Sequence, residues 1–172
     1  NFFKIFALAS TTVLGSFILS NLQPIKQAEA QIRGRKYSFR SYNFRNHYIG
    51  HANYLGIIGV PRAIDTNATF RLRDGLADPD CISLESVNFP GHFLAHADYR
   101  IRLSANDGSK GFGQNATFCQ REGLAGKGIS FQSFNYPSFY IRHRYFELWL
   151  DRADGSQRFL KDATFIRERG RY

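Results

Sequence analysis

Short runs in which apolar and polar residues alternate are the clearest local pattern in this chain. One run is Tyr99–Leu103 (YRIRL), and the same alternation returns in Phe146–Leu150 (FELWL). A period of two places every second side chain on one face of a half-buried β-strand. Asp-Gly pairs follow both runs, at Asp107-Gly108 and Asp154-Gly155, and predict turns after the strands. No convincing amphipathic helix is found after residue 30, so the pattern predicts an all-β chain.

These strands belong to a sequence unit that occurs three times. It begins with a phrase that ends on a histidine and closes with a phrase that ends on a phenylalanine. The first phrase is SYNFRNHYIGH (41–51), SVNFPGHFLAH (86–96) and SFNYPSFYIRH (133–143), and the second is NATF (67–70), NATF (115–118) and DATF (162–165). The histidines are 45 and 47 residues apart, and the phenylalanines are 48 and 47 apart. Two landmarks with a common period indicate an internal repeat, which we place at residues 38–74, 83–122 and 130–167.

A β unit that recurs every 45–48 residues fits two architectures. A β-propeller blade has this size, but a propeller needs at least four blades, and the chain has room for three units. Three four-stranded units about a threefold axis form a β-trefoil instead, a barrel capped by hairpins that leaves no exposed sheet edge. We therefore predict a β-trefoil of three pseudo-symmetric repeats over residues 38–167, preceded by a short lead-in at residues 31–37.

Residues 1–30 have the three parts of a secretory signal peptide. Lys4 precedes the uncharged run Ile5–Leu22, and Ala28-Glu29-Ala30 forms an A-x-A cleavage site. We expect cleavage near Ala30 and a mature protein that is secreted, extracellular or periplasmic, with no membrane contact after cleavage. An uncleaved membrane anchor is the alternative, because the run is close to the shortest length that spans a bilayer.

The two cysteines predict a disulfide. Cys81 opens the second repeat, and Cys119 follows the NATF phrase of that repeat. An even number of cysteines in an exported chain indicates a bridge, and the first and last strands of one trefoil unit lie side by side. The bridge would therefore close the second repeat on itself. A pair of free buried thiols is the alternative.

Charge and histidine spacing narrow the range of partners. The formal net charge is +9 and the arginines are scattered, so we expect a solvated basic surface and no nucleic-acid partner. The repeated histidines fall in separate repeats and no Cys/His cluster has zinc-type spacing, so we expect no metal and no cofactor. The glycosylation sequons at Asn67 and Asn115 are taken as incidental, because Asp162 holds the same place in the third repeat.

The repeated histidine is the main candidate for function, because it is retained while its neighbours change. A polar residue follows each one at the start of the NATF or DATF phrase, which gives the pairs His51 with Asn67, His96 with Asn115, and His143 with Asp162. Aromatic residues flank the third histidine: Phe139, Tyr140, Tyr145 and Phe146. An imidazole, a carboxylate and nearby rings suit a sugar, whose hydroxyls donate to the carboxylate oxygens.

Other residues that recur in each copy are assigned to structure. The serines and asparagines can satisfy backbone groups in turns, and the phenylalanines of the second phrase can fill the barrel. These residues are Ser41/Ser86/Ser133, Asn43/Asn88/Asn135 and Phe70/Phe118/Phe165.

The phrases SFQSFNYPSFYIRH and KDATF, with SLESVNFPGHFLAH and QNATF, resemble a known family. They are similar to the C-terminal domain of α-L-arabinofuranosidase B, the AbfB domain or carbohydrate-binding module family 42, over about residues 36–167. The resemblance implies a β-trefoil that binds arabinofuranose side chains of arabinoxylan and arabinan, and so a link to hemicellulose and to L-arabinose metabolism. It also implies a pocket in each repeat built on the histidine and on the acid of DATF, and the cysteine pair fits the family pattern.

Differences between the repeats rank the three pockets. Only the third keeps the aspartate, whereas Asn67 and Asn115 are neutral and offer a single acceptor oxygen. The first repeat is also irregular, with Gly56, Gly59 and Pro61 where the others have a regular strand. We therefore rank the pocket at His143 first, that at His96 second and that at His51 third. Tyr140 and Trp149 are further candidates for sugar contact, although Trp149 could equally be a ring packed under a loop.

We predict a monomeric binding module and not an enzyme. Glycoside hydrolysis usually needs two carboxylates close together, and no pair of acids recurs in the repeats. The alternative is a lectin-like or adhesive protein that uses the basic surface to bind an acidic polysaccharide or a cell envelope. Arabinofuranosidase activity of the chain itself is a further alternative.

Overall fold

The computed structural model describes residues 32–171, without the side chains of Ala63 and Asp65. The chain from Gly34 onward forms one compact unit. The expected signal peptide at residues 1–30 lies outside the described residues. Within residues 32–171, no helix is both long and apolar enough to cross a bilayer.

The described chain contains twelve β-strands, four in each repeat. The first repeat has β1 (Lys36–Ser41), β2 (Tyr48–Ala52), β3 (Leu55–Gly59) and β4 (Phe70–Asp74). The second has β5 (Ile82–Ser86), β6 (His92–Ala97), β7 (Arg100–Ala105) and β8 (Phe118–Glu122). The third has β9 (Ile129–Ser133), β10 (Phe139–Arg144), β11 (Glu147–Arg152) and β12 (Phe165–Arg169).

Antiparallel pairing follows a threefold rule that closes the sheet. The last strand of each repeat pairs with the first strand of the next, as β4–β5, β8–β9 and, closing the circle, β12–β1. The middle strands form the hairpins β2–β3, β6–β7 and β10–β11. These hairpins meet one another through β3–β7, β7–β11 and β11–β3. The fold is the predicted all-β trefoil, in which cyclic pairing leaves no open edge.

Phenylalanines from all three repeats fill the barrel, as the repeated NATF and DATF phrases predicted. The fully buried rings include Phe39, Phe70, Phe118, Phe131 and Phe165. Phe39 and Phe131 pack edge to face with their ring centroids 5.1 Å apart. Because each buried ring contributes about 2–3 kcal/mol through the apolar surface removed from water, this cluster is a main source of the barrel's stability.

The hairpin turns lie at positions other than the Asp-Gly pairs. Each turn has two central residues with positive φ, at Asn53-Tyr54, Asp98-Tyr99 and Tyr145-Phe146. A two-residue turn of this kind matches the right-handed twist of the strands. Its second residue is aromatic in all three repeats, so each hairpin carries a ring at its tip.

Each repeat also has a short helix that the strand pattern did not predict, and in the second and third repeats an Asp-Gly pair leads into it. These helices are α1 (Pro61–Ile64), α2 (Lys110–Asn115) and α3 (Gln157–Asp162), and a 3-10 turn at Asp65–Ala68 follows α1. Ser109 and Ser156 cap α2 and α3 by accepting hydrogen bonds from Phe112 N and Phe159 N. The helices are too short to show a helical period in the sequence. Their ends set the position of the residue that begins NATF or DATF.

The predicted disulfide between Cys81 and Cys119 is present, with the two Cα atoms 4.4 Å apart. It lies beside the pairing of Ile82 with Phe118, where the first and last strands of the second repeat meet. In the chain-entropy model, a bridge over a 38-residue separation stabilises the fold by about 3–4 kcal/mol.

Arg100 fastens the three hairpins together where their tips meet. Its Nη1 donates to the carbonyl oxygens of Gly56 at 2.7 Å and Ile101 at 3.2 Å, and to that of Leu148. One carbonyl comes from each repeat, and the side chain is buried. Glu147 of the third hairpin lies 3.9 Å from Nη2.

Candidate functional site

The residues predicted for the third pocket lie together, and a residue of the first repeat lies between them. His143 is near the end of β10, and Asp162 is the last residue of α3. Asn43, in the turn after β1, has its Oδ1 2.9 Å from His143 Nε2 and donates from Nδ2 to Asp162 Oδ1 at 2.7 Å. The imidazole and the carboxylate are themselves 3.6 Å apart, from Nε2 to Oδ1. The site therefore forms across the seam that closes the trefoil.

Hydrogen bonding assigns the tautomer of His143. Asn43 must point Nδ2 toward the carboxylate of Asp162, because a carboxylate only accepts. Its Oδ1 then faces the imidazole, so His143 Nε2 carries the proton. Ser41 supports this arrangement, since its Oγ donates to Asn43 Oδ1 at 3.0 Å and lies 3.1 Å from His143 Nε2. The same Oγ accepts from Phe44 N at 3.2 Å, so Ser41 also fixes the turn, as the sequence predicted.

The carboxylate of Asp162 is buried and is balanced by two arginines. Arg142 Nη2 lies 3.1 Å from Asp162 Oδ2, and Arg158 Nε lies 3.7 Å from the same oxygen. Burial lowers the pKa of His143 to about 4, against the raising effect of Asp162, while Arg142, His47 and Arg158 lower it further. The site at neutral pH thus combines a neutral imidazole with a charged carboxylate.

A pocket of about 370 Å³ opens over these groups, and we call it the His143 pocket. Its lining residues are Asn43, Phe44, His143, Arg144, Tyr145, Phe146, Arg158 and Asp162. The Phe44 ring stands edge-on to His143 with centroids 5.2 Å apart, and Phe146 lies 5.3 Å from Phe44. Polar groups at the base and aromatic rings on the wall give the pocket the character of a small-ligand site.

The second repeat contributes an equivalent network. His96 Nε2 lies 3.0 Å from Asn135 Oδ1, and Asn135 Nδ2 donates to Asn115 Oδ1 at 2.9 Å. Ser133 Oγ donates to Asn135 Oδ1 at 2.9 Å. Asn135 and Ser133 belong to the third repeat, so this site also spans two repeats. Its aromatic wall consists of Tyr99, Tyr136 and Phe139.

The first repeat follows the same plan. His51 Nε2 lies 3.3 Å from Ser86 Oγ, which donates to Asn88 Oδ1 at 2.6 Å. Asn88 Nδ2 donates in turn to Asn67 Oδ1. The surrounding rings are Tyr54, Phe89 and His92. Burial lowers the pKa of His51, as it lowers the pKa of His96, so these imidazoles also favour the neutral form.

The three sites differ in charge. The third has a carboxylate with two arginines close to it, whereas the first and second have amides in its place. At the position of Arg142 the first and second repeats have Gly50 and Ala95, and at that of Arg158 the second has Gly111. The buried acid therefore occurs together with its cations, as the desolvation cost of a lone buried charge requires.

Two of the predicted sugar-contact residues lie outside the His143 pocket. Tyr140 is in β10 and pairs in register with Gln132 and Asp151. Trp149 is covered by arginines, with the guanidinium carbon of Arg144 4.3 Å and that of Arg100 5.1 Å from the ring centroid. Neither lines this pocket, and a role for either in sugar contact stays a prediction.

The repeated asparagines are site residues that the sequence interpretation did not identify. The sequence predicts a turn role for them, but Asn43 and Asn135 each bridge a histidine to the polar residue that opens DATF or NATF. Asn88 donates to Asn67 and accepts from Ser86, which contacts His51. Their repetition in every copy was the available signal. It was missed because each histidine was paired only with residues of its own repeat.

Among residues 32–171, no group of three or more His, Cys, Asp or Glu side chains could hold a metal ion.

Comparison with known sequences places this arrangement in a family. The sequence model described as "Alpha-L-arabinofuranosidase B (ABFB) domain" matches residues 37–167. A probable alpha-L-arabinofuranosidase B of Aspergillus terreus is 44% identical over 68 residues, which are 40% of this chain and 13% of that protein. The alpha-L-arabinofuranosidase B of Penicillium canescens is 41% identical over 68 residues, 40% of this chain and 15% of that protein. The chain thus matches only a small part of these relatives.

Comparison with solved structures also finds arabinofuranosidases, together with a β-trefoil protein. A GH54 α-L-arabinofuranosidase soaked with a cyclic sulfate inhibitor superposes with a TM-score of 0.73 at 31% identity, covering 80% of this chain and 31% of that one. An arabinofuranosidase complexed with arabinofuranosyl-α-1,2-xylobiose gives a TM-score of 0.74 at 30% identity, with 80% and 31% covered. The BEL β-trefoil, 13% identical with a TM-score of 0.61 over 80% of this chain and 94% of that one, supports the fold alone.

Proposed function

The chain belongs to the α-L-arabinofuranosidase B (ABFB) domain family, and from that premise we propose that it is a carbohydrate-binding module for α-L-arabinofuranosyl side chains of arabinoxylan and arabinan. The observation that supports this most strongly is the group at the base of the His143 pocket. There the carboxylate of Asp162 and the imidazole of His143 lie 3.6 Å apart beneath aromatic rings. Two adjacent sugar hydroxyls can donate to the carboxylate, while the neutral imidazole is held by Asn43.

We propose the same ranking of the pockets as the sequence indicated. The His143 pocket is the main one, because a hydrogen bond to a charged acceptor is roughly twice as strong as a neutral one. The site at His96 has the same bridge of histidine, asparagine and amide, and at His51 the contact runs through Ser86 and Asn88 to Asn67. Their amides offer one acceptor oxygen instead of two, so we expect weaker sugar binding there.

The chain is proposed to bind its glycan without cleaving it. It corresponds to the ABFB region of its relatives and spans 13–15% of their length. The one carboxylate that lines the His143 pocket is that of Asp162. A hydrolase of the usual kind needs a second carboxylate placed across the scissile bond, and none lines this pocket.

The site of action is proposed to be outside the cytoplasm. Residues 1–30 have the sequence of a secretory signal, and the Cys81–Cys119 bridge suits an oxidising compartment. Residues 38–167 would then act as a monomeric module. Sequencing the N-terminus of the protein exported by an expressing cell tests this, since a terminus near Gln31 is expected and a retained residue 1–30 segment in the membrane fraction would contradict it.

Binding to polysaccharide tests the proposed function. The full chain should be retained on insoluble arabinoxylan. It should not be retained on the same xylan after the arabinose has been removed. Retention of the protein on this neutral polysaccharide should persist in 0.5 M NaCl, because the binding does not depend on long-range charge. A chromogenic arabinofuranoside should stay intact under the same conditions. Equal retention on both xylans would refute arabinofuranose recognition, and release of the chromophore would refute a purely binding role.

A further inference from the structure

A second concave region adjoins the His143 pocket and is strongly basic. It has a volume of about 620 Å³ and is lined by Arg40, Tyr42, Asn43, Arg45, Lys127, Lys161 and Ile166. We call it the basic pocket. Asn43 lines both pockets, so a ligand that reaches the bridging asparagine from one pocket can extend into the other.

Most of the positive charge in the basic pocket is not neutralised by the protein. Arg40 is paired with Glu168, with Nε 2.6 Å from Oε1. Arg45, Lys127 and Lys161 form no ion pair within 4.0 Å with any acid in the described part of the chain. The ammonium of Lys127 lies over the ring of Tyr42, 5.4 Å from its centroid. An anion could therefore meet three cations without displacing an acidic side chain.

The pseudo-threefold symmetry supplies an internal comparison. The residue before the repeated serine is Arg40 in the first repeat, but Glu85 and Gln132 in the others. The second residue after the repeated asparagine is Arg45, but Pro90 and Pro137 elsewhere. The residue before DATF is Lys161, but Thr66 and Gln114 precede the two NATF phrases. The trefoil scaffold itself does not require cations at these positions, and they coincide beside only the His143 site.

We propose that the basic pocket binds the carboxylate of a uronic acid residue on the same glycan whose arabinofuranosyl group occupies the His143 pocket. The inference rests on the proposed function, and it narrows the ligand to acidic arabinose-bearing polysaccharides. A uronate carries one delocalised charge, which lysine ammonium groups attract as point charges and an arginine can bind through two donors. Tyr42 and Ile166 give the sugar ring an apolar surface beside those cations.

Calorimetry with two oligosaccharides tests the inference. One probe is a neutral arabinofuranosyl-substituted xylo-oligosaccharide, and the other is the same compound with one glucuronosyl substituent. At low salt the full chain should bind the acidic probe about fivefold more tightly, as expected for a few partly exposed charge contacts. The preference should disappear in 0.5 M NaCl, where the screening length is a few ångströms.

Two double variants test whether the preference for the acidic probe comes from the basic pocket. K127Q/K161Q should lose the preference for the acidic probe and keep its affinity for the neutral one. K110Q/R102Q makes the same change in net charge at exposed positions of the second repeat and should keep the preference. Equal affinity of the unmodified chain for both probes at low salt, or equal loss in both double variants, would overturn the basic pocket as a uronate site.

The two proposals fail in different ways. If the neutral probe does not bind but the acidic probe binds through Lys127 and Lys161, the arabinofuranose function is wrong and the anion site stands. If both probes bind equally, the uronate proposal is wrong and the arabinofuranose function stands. If neither probe binds, both are overturned.

Discussion

At the scale of single residues, the bridging asparagine explains how the site is held. Asn43 accepts a hydrogen bond from His143 Nε2, which fixes the tautomer of the imidazole. It also donates to Asp162 Oδ1, which fixes the orientation of the carboxylate. The sequence indicated the histidine and the acid, because both stand at fixed places in a repeat. The bridge was harder to predict, because Asn43 recurs in every copy but is 100 residues from His143 and meets it only when the barrel closes.

The first residue-scale prediction concerns this bridge. Replacing Asn43 with alanine should weaken binding of an arabinofuranosyl oligosaccharide about tenfold or more, because the imidazole and the carboxylate lose a shared partner and shift. Asn46→Ala, at an exposed position of the same turn, is the matched control and should bind normally. Titration calorimetry on folded protein at pH 7 measures both. Equal affinities of the two variants would show that Asn43 serves the turn alone.

The second residue-scale prediction concerns pH. The folded-state pKa of His143 is about 4, below the ordinary value of 6.5, so the unfolded chain takes up the proton first as pH falls. The stability that comes from the neutral ring is complete above pH 6.5, is lost as pH falls toward 4, and amounts to about 3 kcal/mol. The groups that face the ring and enter this balance are Asp162, Arg142, His47 and Arg158.

Urea unfolding from pH 7.5 to 4.5 measures this effect in the unmodified chain and in His143→Gln, which cannot titrate. The stability difference between the two proteins should shrink as the pH falls. A difference that stays constant over this range would mean that the His143 ring does not change its charge on unfolding.

At the scale of secondary-structure elements, strands were easier to predict than turns and helices. Tyr99–Leu103 and Phe146–Leu150 overlap β7 and β11 because period-two alternation reports burial of one face. The Asp-Gly pairs predicted turns after strands, but they directly precede the serines that form the N-caps of α2 and α3. Asp107 and Asp154 each accept a hydrogen bond from the backbone of the capping serine, at 2.8 Å. The sequence of such a cap resembles that of a turn, and six-residue helices add no periodicity that would separate the two.

Arg100 yields an element-scale prediction, because it joins the three hairpins. Arg100→Met should lower the free energy of unfolding by about 3 kcal/mol, since three buried carbonyl oxygens lose their donor. Arg102→Met, at an exposed position two residues along the same strand, should change it little. Chemical denaturation of both variants measures the difference. Similar stabilities would mean that the hairpins hold together by strand pairing alone.

At the scale of the whole molecule, the repeat period was enough to predict the trefoil and its closed barrel, but it did not show that each site is shared between two repeats. Period and landmarks imply three equal units, and their number excludes a propeller. No site is built from one repeat, however, because the serine or asparagine that contacts each histidine belongs to the next repeat. The seam between β12 and β1 is therefore part of the His143 site as well as of the barrel.

The disulfide gives a prediction at this scale. It closes the second repeat, whereas the His143 pocket is built from the third and the first. Replacing both cysteines with serine should lower the free energy of unfolding by about 3–4 kcal/mol and leave arabinofuranoside affinity unchanged under conditions where the chain is folded. Loss of affinity in the folded double variant would show that the repeats are more tightly coupled than the cyclic pairing requires.

The central claim is that the buried carboxylate of Asp162 grips a sugar in the His143 pocket. Titration calorimetry of Asp162→Asn with an arabinofuranosyl-substituted xylo-oligosaccharide tests it most directly, and Asp80→Asn, exposed and in the loop before β5, is the control of equal charge. Asparagine occupies the equivalent position in the other two repeats, so the variant should fold. We expect Asp80→Asn to bind as the unmodified chain does and Asp162→Asn to lose about tenfold or more in affinity. Equal affinity of the two variants would contradict the claim.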